Sequence, residues 1–254
     1  MQKEKIIAVM KRYELKYYLN KEQLSYFMKA ISQYMEVDKY GLTPIASLYY
    51  DTPDYRLITK SIEKPKFKEK IRLRSYGLAK ENSPTFLEIK RKCEGIVYKR
   101  RVSLLEDEAN KLIKTKEAGD DEQISRELEA FMEQHPNLEP KYLIIYDRLA
   151  YFQKNSDLRI TIDQNPRYRT TDLNLHTSLD GIPLVNEGAI LEVKVQHSVP
   201  LWLSKILTEG KIYQTSFSKV GTAHKLEMSK AHNRLEFVSQ IEMNKGERRY
   251  GFTI

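Results

Sequence analysis

Phe86–Val102 reads FLEIKRKCEGIVYKRRV. Eight of these seventeen residues are charged, yet the pattern is that of a β-hairpin with Cys93 in its turn. Phe86, Glu88, Lys90 and Lys92 fall on one side of a first strand; Val97, Lys99 and Arg101 fall on one side of a second. Outward from this hairpin the alternation recurs. Residues 8–19 place Met10, Arg12, Glu14, Lys16 and Tyr18 on one strand face and Lys11, Tyr13, Leu15, Tyr17 and Leu19 on the other. FKEKIRLRSY (67–76) groups Lys68, Lys70, Arg72 and Arg74 opposite Phe67, Glu69, Ile71 and Leu73. Within 142–151, Ile144, Tyr146 and Arg148 share a face. DLRITID (157–163) aligns Arg159, Thr161 and Asp163, and AILEVKVQ (189–196) aligns Ile190, Glu192, Lys194 and Gln196. IASLYYDT (45–52) is a further strand.

Helices separate these strands. Asn20 is suited to cap a helix over 21–35, with Leu24, Phe27, Met28, Ile31 and Met35 at helical spacing. A short helix is expected around 54–61. The acidic stretch at about 104–136 reads as a helical pair inserted between strands, broken at AGDD (118–121). Pro200, as a first helical residue, opens an amphipathic helix in LWLSKILTEG, and a last helix opens near Ser218. No repeat or linker interrupts the order, so residues 1–254 are expected to form a single domain.

One charged strand face is ordinary for a half-solvated sheet. Here Arg12, Lys16, Arg72, Arg74, Lys90, Lys99, Arg101, Arg148, Arg159 and Lys194 would gather on one surface. Like charges side by side repel, so such a face calls for an anion. Curled inward, it would form a cationic tunnel for a row of phosphates, with Arg as a planar fork and Lys as a point charge. Glu14, Glu88 and Glu192 are misplaced as anion binders; they suit a hard divalent cation that bridges phosphate oxygens.

The bulk composition agrees. A net charge of +8 in 254 residues favours acidic partners. The single cysteine excludes an internal disulfide and fits a reducing compartment. The N-terminal apolar run Ile6–Met10 is too short for a secretory signal or a membrane span, so a cytoplasmic location is expected. Neither G-x-x-x-x-G-K-[ST] nor G-x-G-x-x-G occurs, and the five histidines lack zinc-binding spacing. The tyrosines lie at strand positions that β-propensity explains, so nucleic acid is not an expected partner.

The succession ELKYYL, SLYYDT, KIRLRSYG, FLEIKRK…YKRR, YDRLAYF…LRITID, ILEVKV and SFSK resembles the VTC (vacuolar transporter chaperone) domain of the triphosphate tunnel metalloenzyme superfamily. The resemblance runs from about Arg12 to Lys219. It implies an α+β fold, a closed antiparallel eight-stranded β-barrel with helices packed outside. It also implies an inorganic polyphosphate polymerase that moves the γ-phosphate of ATP onto a polyphosphate chain with Mn²⁺ or Mg²⁺. By matching motif, Arg72 and Arg74 would grip phosphates. Lys16, Lys90, Lys99, Arg148, Arg159 and Lys194 would line the tunnel, Tyr146 would sit at the nucleotide end, and Glu192 would be the principal metal ligand. Lys219 would add a cation near a helix N-terminus. Ser216 departs from the lysine that fungal catalytic members carry there. The resemblance extends to neither the phosphate-sensing nor the transmembrane regions that flank the domain in eukaryotic complexes. The domain is therefore expected to act alone or beside a separate membrane protein partner.

The nearest alternative is a CYTH-type triphosphatase, whose ExExK opening here has Arg12 in place of the first glutamate, followed by Glu14 and Lys16. This disfavours that branch. A non-catalytic polyphosphate binder is the other alternative. Ser216 supports it; Glu192 counts against it, since a pure anion binder gains nothing from a carboxylate in its tunnel.

Overall fold

The structure is a computed structural model that describes residues 13–63, 65–94, 96–118 and 122–231. Its centre is an antiparallel sheet. The strands are β1 (Tyr13–Leu19), β2 (Glu36–Val37), β3 (Thr43–Asp51), β4 (Phe67–Tyr76), β5 (Thr85–Cys93), β6 (Ile96–Leu104), β7 (Glu139–Phe152), β8 (Arg159–Arg169), β9 (Ile182–Pro183), β10 (Ala189–Val195) and β11 (Gln214–Thr215). They run β11-β1-β10-β8-β7-β3-β4-β5-β6, with β2 paired on β7 and β9 on β8. Glu88 faces Arg101 and Lys90 faces Lys99 across β5 and β6, so the hairpin has the register its alternation demands.

The helices are α1 (Lys21–Ile31), α2 (Arg56–Ile62), α3 (Glu106–Thr115), α4 (Gln123–Gln134) and α5 (Leu201–Glu209), and residues 219–231 form the last one, α6. Asn20 caps α1 reciprocally with Gln23. Ser218 caps α6, its Oγ accepting from the Gly221 amide at 3.2 Å. The helix expected over 21–35 stops at Ile31, where Tyr34 turns back to stack on Trp202 at 4.3 Å. Pro200 precedes α5 as its cap. β8 continues past Asp163 to Arg169 through a bulge at Asn165, whose φ of +47° suits a short polar side chain.

Alternation gives the sheet two chemically different faces. The outer face carries Leu48, Ile71, Leu73, Leu87 and Leu143 against Leu112, Leu128 and Phe131 of α3 and α4. Farther along, Leu19, Ile160, Leu191 and Val193 pack against Phe27 and Ile31 of α1 and Leu203 and Ile206 of α5. The helical insertion therefore buries the sheet's back. On the inner face, Ile45, Tyr49, Tyr142 and Tyr146 pack with Ile58 of α2 and Val220 and Ala223 of α6.

The expected closed eight-stranded barrel does not form. Among the described residues, β6 pairs only with β5, and β11 only with β1, so the sheet is open. It still curls. β1 and β5 lie near opposite ends of the strand order, yet Lys90 Nζ meets Glu14 Oε2 at 2.8 Å. Backbone closure fails because β11 has only two residues before the chain turns into α6. That turn fills the seam: Lys16 Nζ donates to the Phe217 carbonyl at 3.1 Å, and Lys70 Nζ donates to Ser218 Oγ at 3.1 Å. Among the described residues, no helix is long and apolar enough to cross a membrane.

Candidate active site

The inner face collects the charged halves of the alternating strands. Pairing puts Glu14 opposite Lys194 and Lys16 opposite Glu192 on β1 and β10. Glu192 then faces Thr161, and Ile190 faces Asp163, on β8. Arg148 faces Asp163 from β7, and Tyr49 and Ser47 of β3 face Arg72 and Arg74 of β4. Lys16, Lys70, Arg72, Arg74, Lys90, Lys99, Arg101, Arg148, Lys194 and Lys219 thus surround four carboxylates, Glu14, Glu88, Asp163 and Glu192. Among these named groups, positive charge exceeds negative by six. Such a surface repels itself, attracts counter-ions and favours a polyanion.

Three sub-clusters organise this charge. In the first, Glu88 is 1% exposed and surrounded by cations. Arg72 Nε donates to Glu88 Oε2 at 2.8 Å, and Arg72 Nη2 lies 2.8 Å from the same oxygen. Lys99 Nζ lies at 2.6 Å, and the Nε atoms of Arg74 and Arg101 at 3.8 and 3.7 Å. Burial acts to raise the Glu88 carboxyl, but Arg72, Arg74 and Lys99 hold it far below the carboxylate range. Arg101 lies 3.5 Å over the Phe86 ring.

In the second, Asp163 receives a bidentate bond from Arg148, at 2.6 and 2.8 Å, and a bond from Lys219 Nζ. Lys219 sits 4.4 Å over the Tyr146 ring, and Arg74 Nη2 donates to Tyr146 Oη at 3.3 Å. Burial acts to raise the Asp163 carboxyl; Lys219 and Arg148 hold it down to about 2. Because this pKa is depressed on folding, its stabilisation is present above the unfolded value of 3.8 and is lost as pH falls from there to about 2. The loss should be about 2 kcal/mol. Denaturant unfolding across that window should show it, and Asp163→Asn should flatten it.

In the third, Glu14 and Glu192 lie diagonally on β1 and β10, each feeling the other's charge. Burial acts to raise the Glu14 carboxyl; Lys90, assisted by Lys194, outweighs burial and Glu192 and holds it low. Burial likewise opposes ionisation of Glu192, and Lys194, Lys16, Lys90 and Arg148 hold it well below the carboxylate range. Burial lowers the Lys16 ammonium.

The expected three-glutamate metal set does not assemble. Among the described residues, no group of three or more His, Cys, Asp or Glu side chains could hold a metal. Glu88 is the counter-ion of the arginines instead, because four cations converge on it. Two carboxylates remain together, Glu14 and Glu192. One or two carboxylates plus substrate phosphates are a usual Mg²⁺ donor set, so these two fit a divalent ion.

The other expected residues divide. Arg159 keeps its register opposite Lys194, but its guanidinium bonds the Ser156 and Leu158 carbonyls, outside the cluster. Ser216 is exposed beyond β11. Arg12 lies outside the described residues. Lys70, Tyr49, Asp163 and Ser218 join the site without having been singled out. Lys70 shares the alternation of Arg72 and Arg74 and was legible from it. Tyr49 was not, because β3 is buried on both faces and shows no alternation.

Residues 11–227 match the VTC domain family. The chain belongs to that family. No curated protein sequence matches this VTC domain chain. Solved structures share its fold at low identity. An adenylate cyclase candidate from Vibrio parahaemolyticus is 13% identical with a TM-score of 0.51, covering 85% of this chain and 99% of its own. One from Bacillus halodurans is 17% identical at 0.51, covering 82% and 96%. A Hippeastrum adenylyl cyclase candidate with a dominant triphosphatase activity is 14% identical at 0.54, covering 85% and 96%.

Proposed function

We propose that this VTC domain is a divalent-metal-dependent polyphosphate polymerase acting on ATP and inorganic polyphosphate. The carrying observation is the inner face, where ten cations outnumber four carboxylates and one carboxylate pair, Glu14 and Glu192, lies among them. In this reading Arg72, Arg74, Arg148 and Lys219 hold the triphosphate, with Tyr146 at the nucleotide end. Lys16, Lys90, Lys99, Arg101 and Lys194 hold the chain. An oxygen of the terminal chain phosphate attacks the γ-phosphorus, the bond to the β–γ bridging oxygen breaks, and ADP leaves with that electron pair. The chain grows by one phosphate.

The fixed cations stabilise charge on the transferring group, and the reaction asks little covalent chemistry of the protein. Glu14 and Glu192 would hold Mn²⁺ or Mg²⁺, which supplies Lewis-acid polarisation and neutralises phosphate charge.

Transfer to a phosphate is favoured over transfer to water by the state of the carboxylates. All four are engaged by cations and kept below their usual range, which makes each a weaker base toward water than a free carboxylate. An acceptor phosphate arrives already ionised. The likeness to the Hippeastrum protein keeps triphosphate hydrolysis as the alternative. Phosphorus NMR of a reaction with ATP and Mn²⁺ separates them. Mid-chain phosphate signals are expected; orthophosphate alone would favour hydrolysis.

A further inference from the structure

Tyr49 of β3 lies opposite Arg72 on β4 and Tyr142 on β7. Its ring belongs to the inner apolar cluster with Ile58 of α2 and Val220 and Ala223 of α6. Its hydroxyl meets charge: Arg72 Nη1 donates to Tyr49 Oη at 2.8 Å. Among the described residues this is the one hydrogen-bond partner of that oxygen, and toward a guanidinium it can only accept. Arg72 is held from its other side by Glu88 of β5. From β4, Lys70 and Arg74 add their charges, while Tyr142 of β7 is bonded to His224 of α6. A buried phenol oxygen that accepts from one cation beside two others is placed to be a phenolate.

We propose that Tyr49 is a proton-exchanging positioning residue of the phosphate site. As a phenolate it balances and orients Arg72; when a phosphate chain enters, the anion replaces that charge and Tyr49 takes up a proton. The proposal rests on the reading of the inner face as a phosphate site. The electrostatics support it. Burial would raise the Tyr49 phenol, but Arg72, Lys70 and Arg74 outweigh burial and draw it down to about 7. An incoming anion opposes those cations and restores a higher value, so binding near neutral pH must be accompanied by proton uptake. Lys70, lowered to about 8 chiefly by burial, should take up a proton in the same direction.

The test is calorimetric titration of metal-free tripolyphosphate at about pH 7.5 in two buffers of different ionisation enthalpy, with wild type and Tyr49→Phe. The phenylalanine ring keeps the apolar cluster filled. The Lys70 ammonium itself feels the Tyr49 charge, so for the proton count both proteins carry Lys70→Arg, which does not titrate. In that background the Tyr49 protein should take up more protons per site than Tyr49→Phe, by about half a proton or more. The near-ultraviolet difference between the two free proteins should show one phenolate forming near neutrality. Tripolyphosphate binding with equal proton uptake in both overturns the Tyr49 proposal alone. No binding by wild type overturns the phosphate-site reading and this proposal with it.

Discussion

Glu88→Ala should lower the stability of this domain by about 3–5 kcal/mol, the penalty for stranding buried charge. Glu88 is 1% exposed, and Arg72, Arg74, Lys99 and Arg101 converge on it. Removing it leaves four cations facing one another with no carboxylate between them. In a chain of this size the loss should lower the melting temperature on the order of 10 °C. Saturating tripolyphosphate should recover much of it, because the anion supplies the missing charge and binds only the folded state. Thermal unfolding with and without the anion reads both effects. A Glu88 acting as a metal ligand would give the opposite signature: stability nearly unchanged without metal, and activity lost only in its presence.

Glu192→Gln should separate metal chemistry from anion binding. Glu192 is 9% exposed, pairs with Lys194 Nζ at 3.4 Å and, with Glu14, forms the carboxylate pair proposed to hold a divalent ion. Its loss should cut metal-dependent turnover by about 100-fold or more, the scale of removing one electrostatic contributor from a transition state. Metal-free tripolyphosphate should bind at least as tightly as to wild type, since a negative charge has left a site that receives anions. Steady-state kinetics with ATP and Mn²⁺, beside metal-free calorimetry, measures the two. A matching loss in both would make Glu192 a structural counter-ion instead.

Much of this architecture was legible from the hairpin outward. The alternation of Glu88 and Lys90 against Leu87 and Ile89 determines which side chains face inward, and the same period places Arg72, Arg74, Arg148, Glu192 and Lys194 beside them. Helix starts followed from local chemistry, as with Asn20 and Ser218, whereas the end of α1 at Ile31 did not. Closure was not legible. It depends on whether the last segment pairs as a long strand, and β11 yields after two residues to α6. Partner choice inside the face was equally hidden. Alternation says that Glu88 and Glu192 point inward, but only packing decides that four cations converge on Glu88 while Glu192 lies beside Glu14. Arg159 shows the same limit: its register is correct, yet nearby carbonyls capture its guanidinium.

The most direct test of the central claim is to supply γ-labelled ATP, Mn²⁺ and a short polyphosphate primer to the purified protein and to resolve the products by chain length. The account predicts label in progressively longer chains, dependent on metal and lost in Glu192→Gln. Label recovered only as orthophosphate, or left in ATP while the primer binds, would contradict it.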